Sequence, residues 1–172
     1  MTVPIALLLL MLPDVRTVPK VDLQKYSGVW YEIARLPNKF QKDCAGDVTA
    51  EYTLREDRKI SVVNRCREAG KPKPKMAEGV VRVADEDNGS NSILKVRFAP
   101  AILSFLHSVW GDYRIIALDE KYSYALVGSS DRKYLWILSR TKTLDDNVYN
   151  RLLATAADQG FTVKKIIRTP HT

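Results

Sequence analysis

The chain has 172 residues, 45% of them apolar, enough for one domain with a real core and too few for two ordinary domains. Its 27 Lys and Arg exceed 20 Asp and Glu for a formal charge of +7, but the cations are scattered and match no nucleic-acid module. The charge therefore implies attraction to anionic surfaces and no nucleic-acid partner. Two cysteines without a nearby histidine complete no metal site, and neither His107 nor His171 sits in a nucleophile motif.

The first residues, MTVPIALLLLML, hold an apolar run too short to span a bilayer as a helix and suited to a signal-peptide core. No Lys or Arg precedes it, and PDVRTVP after it lacks a small-x-small cleavage pattern. An upstream start, an uncleaved anchor and an atypical signal all stay open, with export to the periplasm or outer membrane as the expectation. Residues 1–20 are thus read as a signal-like segment and linker, and 21–172 as the folded domain.

From there the chain reads as short alternating apolar segments separated by turn chemistry, the pattern of an antiparallel all-β barrel or sandwich. Strands are expected at 28–37, 48–54, 59–66, 77–84, 92–98, 112–118, 122–128 and 134–140. The connectors REDRK, DEDNGSN, DEK and SSDRK are short and polar, which implies sequential hairpins, and Asn88-Gly89 is the clearest turn signal. Eight strands joined in sequence close an up-and-down barrel and leave no exposed edge. Cys44 and Cys66 flank one of these hairpins. In an exported domain they most simply form a disulfide, which stabilises by roughly 3 kcal/mol through loop closure. The basic stretch GKPKPK, 70–75, reads as a solvated loop and receives no function here.

The segment 99–112 departs from the short polar turns. After Pro100, Ile102, Phe105, Leu106 and Val109 recur at helical spacing, and Trp110 follows. It either covers the barrel mouth or touches a membrane through Ile102, Phe105, Leu106 and Trp110, or it packs on the barrel. Past the last long strand, Thr143 as cap and Asp146 three residues on predict a helix that Gly160 stops. Val148, Leu152 and Ala156, with Tyr149 and Leu153, form its apolar face, and Leu135 and Ile137 of the preceding strand face it. A final strand is expected at 161–167.

On the alternation set by Trp30 and Arg140, Glu32, Ala34, Leu36, Tyr113, Ile115 and Ala117 point inward. Tyr122, Tyr124, Leu126, Tyr134, Trp136 and Leu138 join them. This aromatic and aliphatic set, broken by small and polar residues, fits either a ligand cavity or a packed core. Glu32 needs a cation such as Arg35 if it is buried, or water if it is not.

The motifs now assemble into a resemblance. GVWYEIAR resembles the G-x-W signature that opens the lipocalin barrel, GDYRIIALD at 111–119 is similar to the second signature with its Asp-Tyr pair at Asp112, and Arg140 of LWILSRT matches the third. Their order, with the helix and final strand after Arg140, also agrees, and the resemblance runs from about Val21 to Arg168. The wording WYEIARLPNKF, VTAEYTL, YALVG and GFTV further resembles the bacterial lipocalins, the subgroup close to apolipoprotein D and plant temperature-induced lipocalins. The resemblance implies that Gly28, Trp30, Asp112 and Arg140 are structural, with Trp30 closing the narrow end and Arg140 making a cation-π contact beneath it.

The resemblance also implies a binding protein without catalytic residues, cofactor or metal. Its expected ligand is a fatty acid or lysophospholipid, held by Glu32, Ala34, Tyr113, Ile115, Tyr124, Leu126, Tyr134, Trp136 and Leu138, for lipid transport and membrane maintenance. An isomerase using a cavity thiol, or sequestration of a porphyrin, siderophore or protein partner, are the rival readings, and a homodimer stays open.

Overall fold

The computed structural model describes residues 13–57, 59–98 and 110–172. Residues 1–12, with the signal-like run, and 99–109, with Ile102, Phe105 and Leu106, lie outside the described residues. A four-residue helix α1 (Leu23–Tyr26) leads into eight strands: β1 (Gly28–Arg35), β2 (Cys44–Leu54), β3 (Ile60–Glu68), β4 (Lys75–Val83), β5 (Ile93–Arg97), β6 (Gly111–Leu118), β7 (Tyr124–Gly128) and β8 (Leu135–Ser139). Helix α2 (Asp146–Asp158), a 3-10 turn (Val163–Lys165) and the two-residue strand β9 (Ile167–Arg168) follow.

Each strand from β2 to β8 pairs antiparallel with the next, and β1 pairs with both β8 and β2, so the eight strands close into a barrel. The lower half of β1, Gly28 to Tyr31, pairs with β2, and beyond it Ala34 and Arg35 pair with β9. The C-terminal segment fills the gap where β1 and β2 part: Thr169 N–H donates to Ile33 O at 2.9 Å and Asp47 N–H to Pro170 O at 2.9 Å. Gly46 permits this approach, because a Cβ there would stand 2.6 Å from Pro170 O.

Antiparallel order fixes the two ends. The connectors 36–43, 69–74 and 129–134 share the end at which β1 finishes, here the mouth; 55–59, 84–92 and 119–123 share the base with α1 and Arg140.

Two apolar clusters divide the molecule. The interior cluster draws Trp30, Tyr52, Val62, Val81, Leu94, Tyr113, Ile115, Val127 and Leu138 from all eight strands. The outer cluster packs Ile33, Ala34, Leu126, Leu135 and Ile137 against Tyr149, Leu152 and Ala156 of α2. Side chains of this size each contribute about 1.5–3 kcal/mol when fully buried. The expected face of α2 and the outward aim of Leu135 and Ile137 are thus as read from spacing, with Val148 and Leu153 at the margin of the contact.

Other expectations shift. The N-cap of α2 is Asp145, whose carboxylate accepts from Asn147 N–H and Val148 N–H, and Thr143 lies outside the helix: an aspartate one residue before the first turn reaches the free amides better. The final strand shrinks to β9 because a 3-10 turn occupies Val163–Lys165.

Residues 13–20, expected as linker, form a strap down the outside of the barrel. Arg132 of the mouth connector donates to Pro13 O, Val15 is 2% exposed in the outer cluster, Arg16 and Gln159 exchange two hydrogen bonds, and Val21 N–H donates to Ser90 O at the base. Cys44 and Cys66 form a disulfide that ties the mouth ends of β2 and β3.

Candidate functional site: the barrel interior

The floor is built from the entry segment. Asp22 caps α1 by accepting from Gln24 and Lys25 N–H, which turns the chain so that Tyr26 and Trp30 enter the base together. Trp30 is wholly buried, donates Nε1–H to Tyr26 O at 2.8 Å, and carries the Arg140 guanidinium 3.8 Å from its ring centroid. Gly28 has φ +100, and a Cβ there would meet Arg140 NH1 at 3.2 Å. Gly28, Trp30 and Arg140 thus meet in one set of contacts at the base.

Above Trp30 stand three buried tyrosines. Tyr113 OH lies 2.7 Å from Tyr26 OH and 3.0 Å from Tyr52 OH, a hydroxyl chain in which three protons serve two bonds. Burial pushes the Tyr52 phenol up to about 12, with its hydrogen bond to Tyr113 working the other way. Burial also raises Tyr26 and Tyr113 well above the ordinary 10.0, so all three stay neutral donors at physiological pH.

The upper interior is lined differently. Pairing places Ala50 opposite Asn64 and Asn64 opposite Ala77, and it places Tyr52 opposite Val62 and Val62 opposite Gly79, so these rows share the interior face with the floor residues. Ala50, Asn64 and Gly79 are partly exposed and Ala77 is exposed, although all point inward: solvent reaches the barrel through the mouth while the base is shut. Among the described residues the buried Asn64 Oδ1 has no hydrogen-bond partner.

At the rim, Tyr134 stacks on Trp136 with centroids 5.9 Å apart, and Phe40 lies 5.6 Å from Tyr134. Trp136 Nε1–H donates to Gln41 Oε1 at 2.9 Å and Gln41 Nε2–H to Glu32 Oε2 at 2.5 Å, which pins connector 36–43 to the barrel. The other carboxylate oxygen of Glu32 accepts from Arg35 at 2.6 Å and from Thr169 Oγ1 at 2.5 Å. Glu32 and Arg35 are both buried, and the demand for a partner is met by each other and the C-terminal segment, leaving the carboxylate fully occupied.

Of the expected lining residues, Tyr113, Ile115 and Leu138 lie in the interior cluster, Trp136 packs against it and Tyr134 stands at the rim. Ala34 and Leu126 instead face α2, both at 0% exposure, and Tyr124 packs on that side with its hydroxyl accepting from Arg151 at 3.2 Å. Leu36 and Ala117 follow them. For Ala34, Leu36 and Ala117 the reason is local, β-bulges between Glu32 and Ala34 and between Ile115 and Ala117 that shift the alternation by one residue, whereas Leu126 and Tyr124 face outward because Ala125 pairs with the inward Leu138. On β7 the inward residues are Ala125 and Val127. Tyr122 stays by the base, where its hydroxyl accepts from Asp22 N–H.

Asp112 faces outward and accepts from Ser130 N–H at 2.7 Å, with Arg114 and Lys95 beside it. Desolvation alone would raise its carboxyl, but the Ser130 hydrogen bonds and the two cations prevail and lower it. Trp110 lies between the guanidiniums of Arg82 and Arg97, 5.0 and 5.2 Å from its ring centroid.

Several interior residues escape the sequence reading. Tyr26 precedes the first strand, and Tyr52, Ala50, Asn64 and Gly79 belong to strands whose parity no signature residue anchors. Among the described residues no group of three or more His, Cys, Asp and Glu comes together as a metal site.

Comparison with known proteins agrees with this geometry. The solved structure of insecticyanin from Manduca sexta superposes with a TM-score of 0.70 at 23% identity, covering 94% of this chain and 87% of that one, a likeness of fold. Temperature-induced lipocalin-1 of Arabidopsis thaliana is 36% identical over 92% of this chain and 83% of its own. The outer membrane lipoprotein Blc of Escherichia coli (strain K12) is 39% identical over 89% of this chain and 81% of its own. With residues 21–171 matching the family described as lipocalin-like domain, the closed barrel with its Trp30–Arg140 base belongs to a lipocalin.

Proposed function

We propose that the protein binds one acyl-chain amphiphile, a fatty acid or lysophospholipid, in the upper barrel and carries or stores it for membrane maintenance. Lipocalins are mostly binding and transport proteins. The observation that carries the finer reading is the contrast within one interior: bulky rings fill the floor, whereas above it the wall is lined by small residues that stay open to solvent, Ala50 next to Trp30, then Ala77 and Gly79 with the Phe98 ring beside it. An acyl chain entering there replaces water along apolar walls, a gain of about 0.8 kcal/mol per CH₂ before association costs. Asn64, the hydroxyl chain centred on Tyr113 and the Tyr134–Trp136 rim offer a few polar groups to orient a head group.

The isomerase reading needs a free thiol in the cavity, and both cysteines of the chain are joined to each other. An exported location agrees with that disulfide and with relatives named as outer membrane lipoproteins. Because Val15 is part of the outer cluster, any cleavage of the apolar N-terminal run falls upstream of it in this reading.

The test is displacement of a fluorescent fatty acid from the purified protein by oleate and by lysophosphatidylcholine. Ala50→Trp fills the upper interior, so its affinity should fall at least tenfold while its melting temperature stays within a few degrees. Absence of displacement by either amphiphile, or full affinity in Ala50→Trp, sinks the proposal.

A further inference from the structure

The charged residues that serve no interior role are sorted by barrel end. The mouth connectors 36–43, 69–74 and 129–134 carry six Lys and Arg against two Asp and Glu, whereas the base connectors 55–59, 84–92 and 119–123 carry four against seven. The barrel is therefore polarised along its axis, positive at the mouth. Lys42 and Lys73 enter no ion pair among the described residues, and Lys71, paired to Glu68 at 3.1 Å, is still 65% exposed. The apolar surface is sorted in the same direction. Of five exposed large hydrophobic residues among those described, Phe40, Met76 and Phe98 sit at or beside the mouth, Phe40 at 60% exposure, with the Phe98 ring turned inward against Gly79. The strap adds a third feature, since Pro13 is held to the mouth connector by Arg132, so the apolar run of residues 5–12 joins the folded domain at that end.

We propose that the mouth rim is a docking surface for anionic lipid bilayers, on which Lys42, Lys71 and Lys73 meet head groups while Phe40 enters the interface, so that the barrel stands mouth-down. Each element has its own physical reason. Lysines near an anionic leaflet gain attraction that falls off within a Debye length, and the acidic base turns that attraction into a torque that orients the molecule. Exposed aromatic rings flanked by cations suit the boundary between head groups and acyl chains. The two prolines of GKPKPK stiffen the β3–β4 connector and keep Lys71 and Lys73 outside the strand pairing. Where the barrel also carries lipid, this orientation sets its opening against the source. The docking inference extends the lipid-carrier reading but is measured apart from it.

The test is co-sedimentation of the full chain with phosphatidylcholine vesicles, pure or containing about 30% phosphatidylglycerol, at low and high salt. Lys42→Glu with Lys73→Glu alters the mouth; Lys59→Glu with Lys121→Glu makes the same change of charge at the base. The expected result is binding to the anionic vesicles that weakens with salt, falls about tenfold or more in the mouth pair, stays within about twofold in the base pair, and weakens in Phe40→Ser. Circular dichroism checks that each variant is folded. Equal losses in both pairs would show an effect of net charge alone and overturn the proposal, as would no binding of the unaltered chain to anionic vesicles at low salt. Fatty-acid displacement without vesicles should be unchanged in the mouth pair; its failure in the unaltered chain strikes the carrier reading and leaves the docking result standing.

Discussion

Arg140 lies flat under Trp30, 3.8 Å from the ring centroid, and its guanidinium donates to the carbonyls of Lys25, Tyr26, Ser27 and Val29 at 2.8 to 3.1 Å. One side chain thus satisfies the turn that leads into the barrel and seals the base. Arg140→Ala should lower unfolding free energy by on the order of 3 kcal/mol, because a cation-π contact and several charge-assisted hydrogen bonds vanish together. Urea unfolding measures this, and Gly28→Ala should destabilise in the same direction through strain at φ +100 and the approach to Arg140. A marginal effect on stability with ligand affinity lost would show that the pair belongs to the binding site instead.

Glu32 and Arg35 form a buried ion pair completed by Thr169 and Gln41. Glu32→Ala leaves the Arg35 guanidinium buried without its carboxylate, a change that costs about 3–5 kcal/mol in such settings. Replacing both residues, Glu32→Leu with Arg35→Met, should recover much of that loss. A double-mutant cycle by chemical denaturation reads the coupling, and additive single effects would contradict a shared network.

The hydroxyl chain predicts an alkaline signature. Tyr26, Tyr52 and Tyr113 have folded values above the ordinary 10.0, so their protonated form is favoured by folding; that contribution is intact below about pH 10 and is lost as pH rises through the raised values, about 12 for Tyr52. Ultraviolet titration at about pH 11 should therefore find three of the eight tyrosines still protonated until the protein unfolds. Tyr113→Phe strands both neighbouring hydroxyls and should cost about 1–3 kcal/mol.

Asp47 predicts the acid side. The Thr172 backbone N–H and the Arg67 guanidinium hold its carboxyl at about 2, down from 3.8. A depressed carboxyl stabilises the fold above its unfolded value, so this contribution is present above about pH 4 and disappears as pH falls towards 2. Asp47→Asn should flatten the stability profile in that window, and hydrogen exchange should show the segment after Thr169 loosening. An unchanged profile would remove Asp47 as the anchor of that segment.

How much of this was legible depends on what each residue answers to. Trp30, Gly28 and Arg140 can be read from sequence because they belong to a fixed pattern whose members recur at set places, and the face of α2 can be read because a helix keeps its period. Alternation places Ala34 inside because it counts from one anchor and assumes every residue advances the pleat; a bulge breaks that assumption with no Gly or Pro at the bulged residue to announce it. Leu126 and Tyr124 differ for another reason, since the phase of β7 is set by pairing, with Ala125 opposite the inward Leu138. Glu32 and Arg35 were a puzzle for another reason: the partners that settle it, Gln41 and Thr169, lie 9 and 137 residues from Glu32, one in a loop and the other near the end of the sequence. Asn64 and Gly79 carry no signature, and only pairing shows that they face the interior with Ala50.

The strap and the closing strand have a consequence for how the chain is made. Arg16 waits for Gln159, Trp30 for Arg140 and Glu32 for Thr169, so the first strand has only β2 beside its lower half until nearly the whole chain is present. The hairpins from β2 to β8 join neighbours in sequence and can form as they appear, but closure must await the last third of the chain. Such long-range pairings belong to slow folders, on the millisecond-to-second scale, and leave a hydrophobic sheet with two open edges meanwhile. A chain that stops short of β9 has every hairpin and no means of sealing the seam beside β1.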